Sequence, residues 1–244
     1  MLISIMIIGF LLIILERIYP DRVLPHVKGW WTRVLLINVM QFAIVLIGMS
    51  TWDVWFKSHQ GYMMEGLPDF VLGFLGYLCI TFVFYWWHRV RHDSYLLWVV
   101  FHQLHHSASR LETITSFYKH PLEIMVNSLF MGSLSYLIMG LNFEAVAWTI
   151  LYSSIGEYIY HMNIKTAHWM GYFFQRPEMH KIHHQEGVHY NNFSDLPLWD
   201  MLFGTYENPK EPVLRPCGFV EEKEAEFIEI LKFKNVNKPY KKRK

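Results

Sequence analysis

Residues 70–92 read FVLGFLGYLCITFVFYWWHRVRH. The first part, 70–87, is apolar almost without a break, close to the roughly 20 residues a helix needs to cross a bilayer. It runs straight into His88 and His92, spaced so that both lie on one face of a continuing helix. Four more runs of the same kind flank it, at 2–15, 34–49, 122–141 and 143–160. Only Asn142 and the Gly140–Leu141 step part the last two, which predicts a tight helical hairpin. The fold class is therefore all-α: an integral membrane bundle of about four to five apolar helices with a helical cap. One or two of the runs are short enough to be interfacial or re-entrant rather than spanning.

Composition agrees. Of 244 residues, 52% are hydrophobic, 17% aromatic and only 18% charged, with a mean hydropathy of +0.15. Soluble domains carry about 25% charge. Disorder is excluded by the apolar content, and a disulfide scaffold by there being two cysteines, Cys79 and Cys217. A formal net charge of +1 argues against a nucleic-acid binder.

The first run has no basic segment before it. Glu16 and Arg17 stand where a signal peptidase would want small residues, so a retained anchor is expected. Arg17, Arg22, Lys28 and Arg33 lie between runs one and two, whereas 51–69 holds Lys57 as its one basic residue. The positive-inside rule puts the former on the cytoplasmic side. Counting onward, 88–120 and 161–244 both fall on that side. The tail from Glu221 to Lys234 alternates acidic and apolar residues, as a surface amphipathic helix would. Lys241–Lys244 is a basic end suited to anionic headgroups, and it resembles a dilysine retrieval signal.

Fourteen histidines are the second anomaly. His88 and His92 form H-x-x-x-H. His102, His105 and His106 form H-x-x-H-H, and His180, His183 and His184 repeat it. At this histidine content a second H-x-x-H-H arises by chance on the order of once in a thousand chains. Buried neutral imidazoles each need a partner, and a metal ion provides one. Imidazole suits iron, zinc, copper and nickel. Eight imidazoles exceed one ion and match two, with four or five each. Two closed zinc sites fit that count as well.

Further candidates lie nearby. Glu157 and His161 are i, i+4, and a carboxylate at a spanning helix's end is costly without a purpose. Ligand, base or acceptor from a histidine are its options, against a plain headgroup-level carboxylate. His120 precedes Pro121 and caps the fourth run. His26, His59, His168 and His189 lack cluster spacing, and His168 is the strongest exception.

These boxes resemble the fatty acid hydroxylase / sterol desaturase superfamily. The matching pieces are His88-Arg89-Val90-Arg91-His92, His102-Gln103-Leu104-His105-His106 and His180-Lys181-Ile182-His183-His184. Lys119-His120-Pro121-Leu122-Glu123, His161-Met162-Asn163, Pro177 before the third box, and 198–206 (LWDMLFGTY) extend the likeness over roughly 70–206. The resemblance implies an integral membrane oxygenase with two iron ions, using O2 as co-substrate to hydroxylate or desaturate a lipid-like substrate. Its implied ligands are His88, His92, His102, His105, His106, His161, His180, His183 and His184, with His120, His168 and Glu157 behind them. Asp200 and Asn163 would support ligands from outside. Fatty acid 2-hydroxylases resemble H-x-x-x-x-H in the first box, whereas three residues stand between His88 and His92. The H-x-N element and the LWDMLFGTY ending look more like alkylglycerol monooxygenase and bacterial sterol-desaturase-like members.

No cysteine cluster for an iron–sulfur centre and no G-x-G-x-x-G motif occur, so electrons are expected from a separate cytochrome b5- or ferredoxin-type donor with its reductase. The expected organisation is 1–69 membrane helices, 70–206 catalytic region and 207–244 tail, within one structural domain. The bacterial inner membrane or the endoplasmic reticulum would house it. Tyr85, Trp86, Trp87 and Trp98 read as an interfacial belt or, less simply, as a substrate passage. A zinc-dependent membrane hydrolase is the rival on the same cluster; a metal transporter or bis-histidine haem protein is the non-enzymatic one.

Overall fold

Gly73 and Gly76 show how the bundle closes. A Cβ on Gly73 would stand 2.3 Å from Trp148 Cβ, and one on Gly76 would stand 2.3 Å from Thr149 Oγ1. Only glycine lets the two backbones approach so closely, and Thr149 Oγ1 then donates to the Gly73 carbonyl at 3.0 Å. This seam joins α4 (Asp69–Asp93) to α8 (Phe143–His161), the most extensive helix pair in the molecule.

The computed structural model describes residues 1–188 and 190–237. His189 and Lys241–Lys244, and what the sequence suggests for them, lie outside the described residues. α1 (Leu2–Ile18), α2 (Trp30–Ser50), α3 (Trp52–Ser58) and α4 come first. A short α5 (Tyr95–Leu97) and a π-helical turn (Trp98–His102) lead into α6 (Gln103–Ser107). Then follow a 3-10 turn (Thr113–Phe117), α7 (Pro121–Gly132) with a π-helical extension (Ser133–Ile138), and α8. A second 3-10 turn (His168–Tyr172), α9 (Pro177–His183), α10 (Pro197–Phe203), α11 (Glu221–Glu224) and α12 (Phe227–Leu231) follow among the described residues. Among the described residues the only pairing of β type is one bridge between Gln185 and Cys217.

All five apolar runs are helical. By length and composition, three helices can cross a membrane: Trp30–Ser58, Asp69–Asp93 and Pro121–Ile138. The other two, α1 and α8, fall outside that set. α1 has 17 residues. α8 carries Glu144, Ser153, Ser154 and Glu157 in its sequence, which dilute its hydropathy. The expected hairpin is present: Gly140 adopts φ +65, and Asn142 caps α8 by accepting from Ala145 N at 2.8 Å.

The tail departs from expectation. It is two short helices rather than one, and they are not a free surface element. Glu224 turns inward, where it accepts from Arg33 Nη2 at 3.0 Å and from Ser109 N at 3.2 Å, and the helix breaks after it. Phe227 and Ile230 then pack with Trp30, Val34 and Ile37 of α2 and with Leu104 and Tyr118. Each such side chain contributes about 2 kcal/mol. The tail thus covers the second histidine box.

Candidate metal centre

Box one occupies the last turns of α4, box two runs from His102, the last residue of the π-helical turn, into α6, and box three spans α9 and the residue after it. Each helix is short or ends at its box, so the histidines project from helix ends toward one centre. The π-helical turn before α6 ends at His102 and shifts the register there; such turns often mark functional sites.

Nine histidines form two groups. His88, His92, His102, His106 and His183 make one; His105, His161, His180 and His184 make the other. Within each group one ring nitrogen per residue lies within 4.8 Å of every other. The two H-x-x-H-H boxes are dealt out in mirror fashion. Box two sends its i, i+4 pair to the first group and His105 to the second. Box three sends His183 to the first and its i, i+4 pair to the second. His106 and His184 stack at 4.2 Å where the groups meet.

The outward nitrogens are tied to acceptors. His88 Nδ1 meets the Phe193 carbonyl at 2.7 Å, and His183 Nδ1 meets that of Asn191 at 2.7 Å. His161 Nδ1 meets the Glu157 carbonyl at 2.8 Å, and His105 Nδ1 that of Tyr118 at 3.3 Å. A ring that gives its Nδ1 proton to a carbonyl keeps only a lone pair on Nε2. Yet His161 Nε2 faces His105 Nε2 at 3.3 Å, and His183 Nε2 faces His88 Nε2 at 3.0 Å. Two lone pairs do not bond; a cation between them resolves the conflict. Nitrogens on adjacent positions of one ion, each about 2.0–2.1 Å from it, stand about 3 Å apart, as these do. Outward hydrogen bonds of this kind orient ligating imidazoles. The residues therefore fit a pair of metal ions.

Burial keeps the rings neutral. It lowers the basicity of His102, His105, His106 and His180, and neighbouring imidazoles lower it further, with Arg91 adding to the effect at His102.

A second layer surrounds the rings. Glu123, fully buried, pairs with Arg91 and lies 3.2 Å from His102 Nδ1. Asp200 accepts from the backbone N–H groups of Phe193 and Ser194 at 2.8 and 3.0 Å, which aims the Phe193 carbonyl at His88. Burial pushes the Asp200 carboxyl up to about 6. Gln175 Nε2 stands 3.1 Å from His180 Nδ1 and donates to the Asn192 carbonyl at 2.8 Å.

Other sequence candidates sit elsewhere. The Glu157 carboxylate takes Lys119 Nζ at 2.6 and 2.7 Å, so its carbonyl, not its carboxylate, meets His161. His120 caps α7, accepting from Leu122 N at 3.1 Å. His168 packs on Tyr172. Asn163 Nδ2 donates to the Arg22 carbonyl and ties the α1–α2 connection to the end of α8. None of these joins either group. His59 stacks on Trp55 at 4.2 Å, beyond the opposite end of α4. Sequence reasoning gave Arg91, Glu123 and Gln175 no role. Charged residues at the ends of apolar runs were the available signal for the first two; Gln175 offered none.

The fatty acid hydroxylase family model matches residues 73–205. The chain is 28% identical over 158 residues to ornithine lipid hydroxylase OlsE of Rhizobium tropici, covering 63% of this chain and 47% of that one. It is 26% identical over 142 residues to alkylglycerol monooxygenase of Homo sapiens, covering 57% and 31%. Against sphinganine C4-monooxygenase 2 of Arabidopsis thaliana it is 28% identical over 131 residues, covering 50% and 49%. The match thus spans half or less of each relative's length. No solved structure matches.

Proposed function

The chain belongs to the fatty acid hydroxylase family, and from that premise we propose that it is an O2-dependent, non-haem di-iron membrane oxygenase that hydroxylates or desaturates a lipid. The observation that carries the reading is the pair of histidine groups, five nitrogens and four, in which the Nε2 atoms of His88 and His183 face at 3.0 Å and those of His105 and His161 at 3.3 Å, with the protons of these four rings given to backbone carbonyls. His88, His92, His102, His106 and His183 would hold one iron; His105, His161, His180 and His184 the other. When bound, the irons would supply O2 reduction and cleavage of a substrate C–H bond.

The chain's own residues do the rest. Carbonyls of Phe193, Asn191, Tyr118 and Glu157 hold four rings in the tautomer that presents Nε2 inward. Asp200 fixes the first of those carbonyls. α12 and the segment after it cover box two: Gln103 donates to the Lys234 carbonyl and accepts from Val236 N, both at 2.9 Å. That cover keeps bulk water from the rings. Electrons would come from a separate cytochrome b5- or ferredoxin-type protein with its reductase. The centre would lie on the cytoplasmic side of the bacterial inner membrane or the endoplasmic reticulum, by the charge count of the connecting segments.

Five nitrogens in one group exceed the four of a closed zinc site, and zinc has no redox chemistry. That favours iron over the hydrolase reading. A haem takes at most two axial imidazoles, one on each face, whereas each group here brings four or five imidazole nitrogens together. The test is elemental analysis of protein from iron-supplemented cells, followed by lipid turnover with and without O2 and reductant. About two irons per chain with O2-dependent product is the expected result. Turnover without O2 or reductant would replace the oxygenase by a hydrolase.

A further inference from the structure

Two segments of the cap carry an apolar face that is left open to the outside. The second 3-10 turn and the residues after it present Trp169, Tyr172, Phe173 and Phe174. α10 presents Leu198, Met201 and Leu202, the i, i+3, i+4 face of a helix, with Phe203 at its end. Phe173 and Leu202 are each 63% exposed. The two segments lie side by side: α10 packs against the turn, and Tyr206 Oη donates to the Gly171 carbonyl at 3.1 Å. Across 168–174 and 196–206 the one Asp, Glu, Lys or Arg is Asp200. Asp200 is buried, where it holds the N–H groups of Phe193 and Ser194. α10 thus turns its polar side to the protein and its apolar side away from it. Soluble surfaces rarely leave a contiguous patch of this kind open to water.

The height of the patch identifies its neighbour. Phe82 packs on Trp199 at 5.0 Å, and Trp86 on Phe203 at 4.8 Å. Phe82 and Trp86 are themselves exposed, as are Phe70 and Phe74 further along α4. The face of the cap therefore continues the face of a helix long and apolar enough to cross a membrane. On α4 the first Arg, Lys, Asp or Glu after Phe70 is Arg89, about 28 Å away along the axis. That matches a hydrocarbon core of about 30 Å and sets the headgroup level near Arg89. Phe82 and Trp86 lie about 10 and 5 Å below that level. Interfacial helices bury their apolar faces to the same depth, about 5–10 Å.

We propose that α10 and the 168–174 segment are embedded in the bilayer as a wedge beside α4, with their apolar faces among the acyl chains just below the headgroups. The partner of this surface is the phospholipid leaflet. A transient protein partner is steered and registered by charge, and these segments turn none outward. The cap therefore does not stand clear of the membrane. The helix whose Asp200 fixes the carbonyl behind His88 has its other side in lipid. The proposal rests on α4 spanning the membrane and is independent of the chemistry at the histidines.

Fluorescence quenching tests it. Leu202→Cys, Phe173→Cys, Phe74→Cys and Glu211→Cys are each labelled with a small thiol-reactive fluorophore and placed in phosphatidylcholine nanodiscs, which leave both membrane faces open to solvent. All four positions are exposed, so the label displaces no core residue. The unsubstituted chain, labelled in parallel, supplies the background from Cys79 and Cys217. The lipid is then replaced by phosphatidylcholine brominated near the headgroup end of its acyl chains. Labels at 202 and 173 should be quenched within about twofold of the label at 74, as acyl-chain contact at that depth requires. The label at 211 should keep its intensity and be quenched by aqueous iodide instead. Iodide quenching at 202 and 173 equal to that at 211, without quenching by brominated lipid, would overturn the proposal and leave the face open to a soluble protein. An unquenched label at 74 would remove the membrane premise and the proposal with it. Metal content plays no part in the readout, so loss of the oxygenase reading would leave this result standing.

Discussion

The two histidine groups share the second and third boxes but are held by different means. The first leans on charge: the Arg91–Glu123 pair sits beneath His102, and the Asp200 carboxylate positions the carbonyl that holds His88. The second leans on neutral dipoles: the carbonyls of Tyr118 and Glu157 and the amide of Gln175. A carboxylate behind an imidazole raises its basicity as a ligand and is sensitive to loss of either partner. A carbonyl fixed in a helix end orients a ring with less energy at stake. At His102 the carboxylate's effect is offset by Arg91, whose Nη1 stands 3.1 Å from the same Nδ1, so the first group is the more fragile, and the second is held mainly by shape.

The largest effects should come from the rings themselves. His183→Ala strikes the first group and His105→Ala the second. Each should abolish turnover and lower bound metal from about two ions per chain toward one, by elemental analysis, while membrane insertion is unchanged. His59→Ala should leave both readouts alone, since His59 stacks on Trp55 away from the centre. Normal turnover in either ligand variant would end the assignment. Next in size is Glu123→Gln, which leaves Arg91 buried without its counter-charge. Stability should fall by about 3–5 kcal/mol. Metal affinity of the first group should fall about 10–100-fold, with the second group's ion retained in a chelator titration. Equal loss from both groups would erase the distinction between them.

Much of this was legible in the sequence, because periodicity and cluster spacing are local signals. The apolar runs marked all five long helices, and the boxes marked eight of the nine clustered histidines; His161 stood out only through its i, i+4 relation to Glu157 and the family resemblance. What stayed hidden depends on contacts between distant segments. The division of each H-x-x-H-H between two groups follows from how α6 and α9 face each other. Gln175 reaches His180 only because the chain turns at Arg176–Pro177 into α9. Glu157 read as a partner for His161 by spacing, but Lys119, 38 positions away, takes its carboxylate. The tail read as a surface helix because alternation cannot show that Arg33 would draw Glu224 inward.

Acid should affect the groups alike. His102, His105, His106 and His180 are held neutral by burial, whereas in the unfolded chain such imidazoles take up protons below about pH 6.5. The unfolded state then binds more protons, so stability falls as pH drops below that value. Metal-free protein should show a melting temperature that declines from neutral pH toward about pH 5; a flat profile would mean the rings are not buried as described.

The smallest effect should be that of Gln175→Ala. The Gln175 amide touches His180 at 3.1 Å and the Asn192 carbonyl at 2.8 Å, both neutral contacts. Hydrogen bonds between neutral groups are worth about half of charge-assisted ones, so the loss should be about 1 kcal/mol in stability. The second group should release metal only a few-fold more readily, and the first should not change. The comparison turns on this ordering. If Gln175→Ala costs more metal than Glu123→Gln, a neutral amide contributes more to holding its imidazole than the buried carboxylate does, and the roles given to charge and shape must be exchanged.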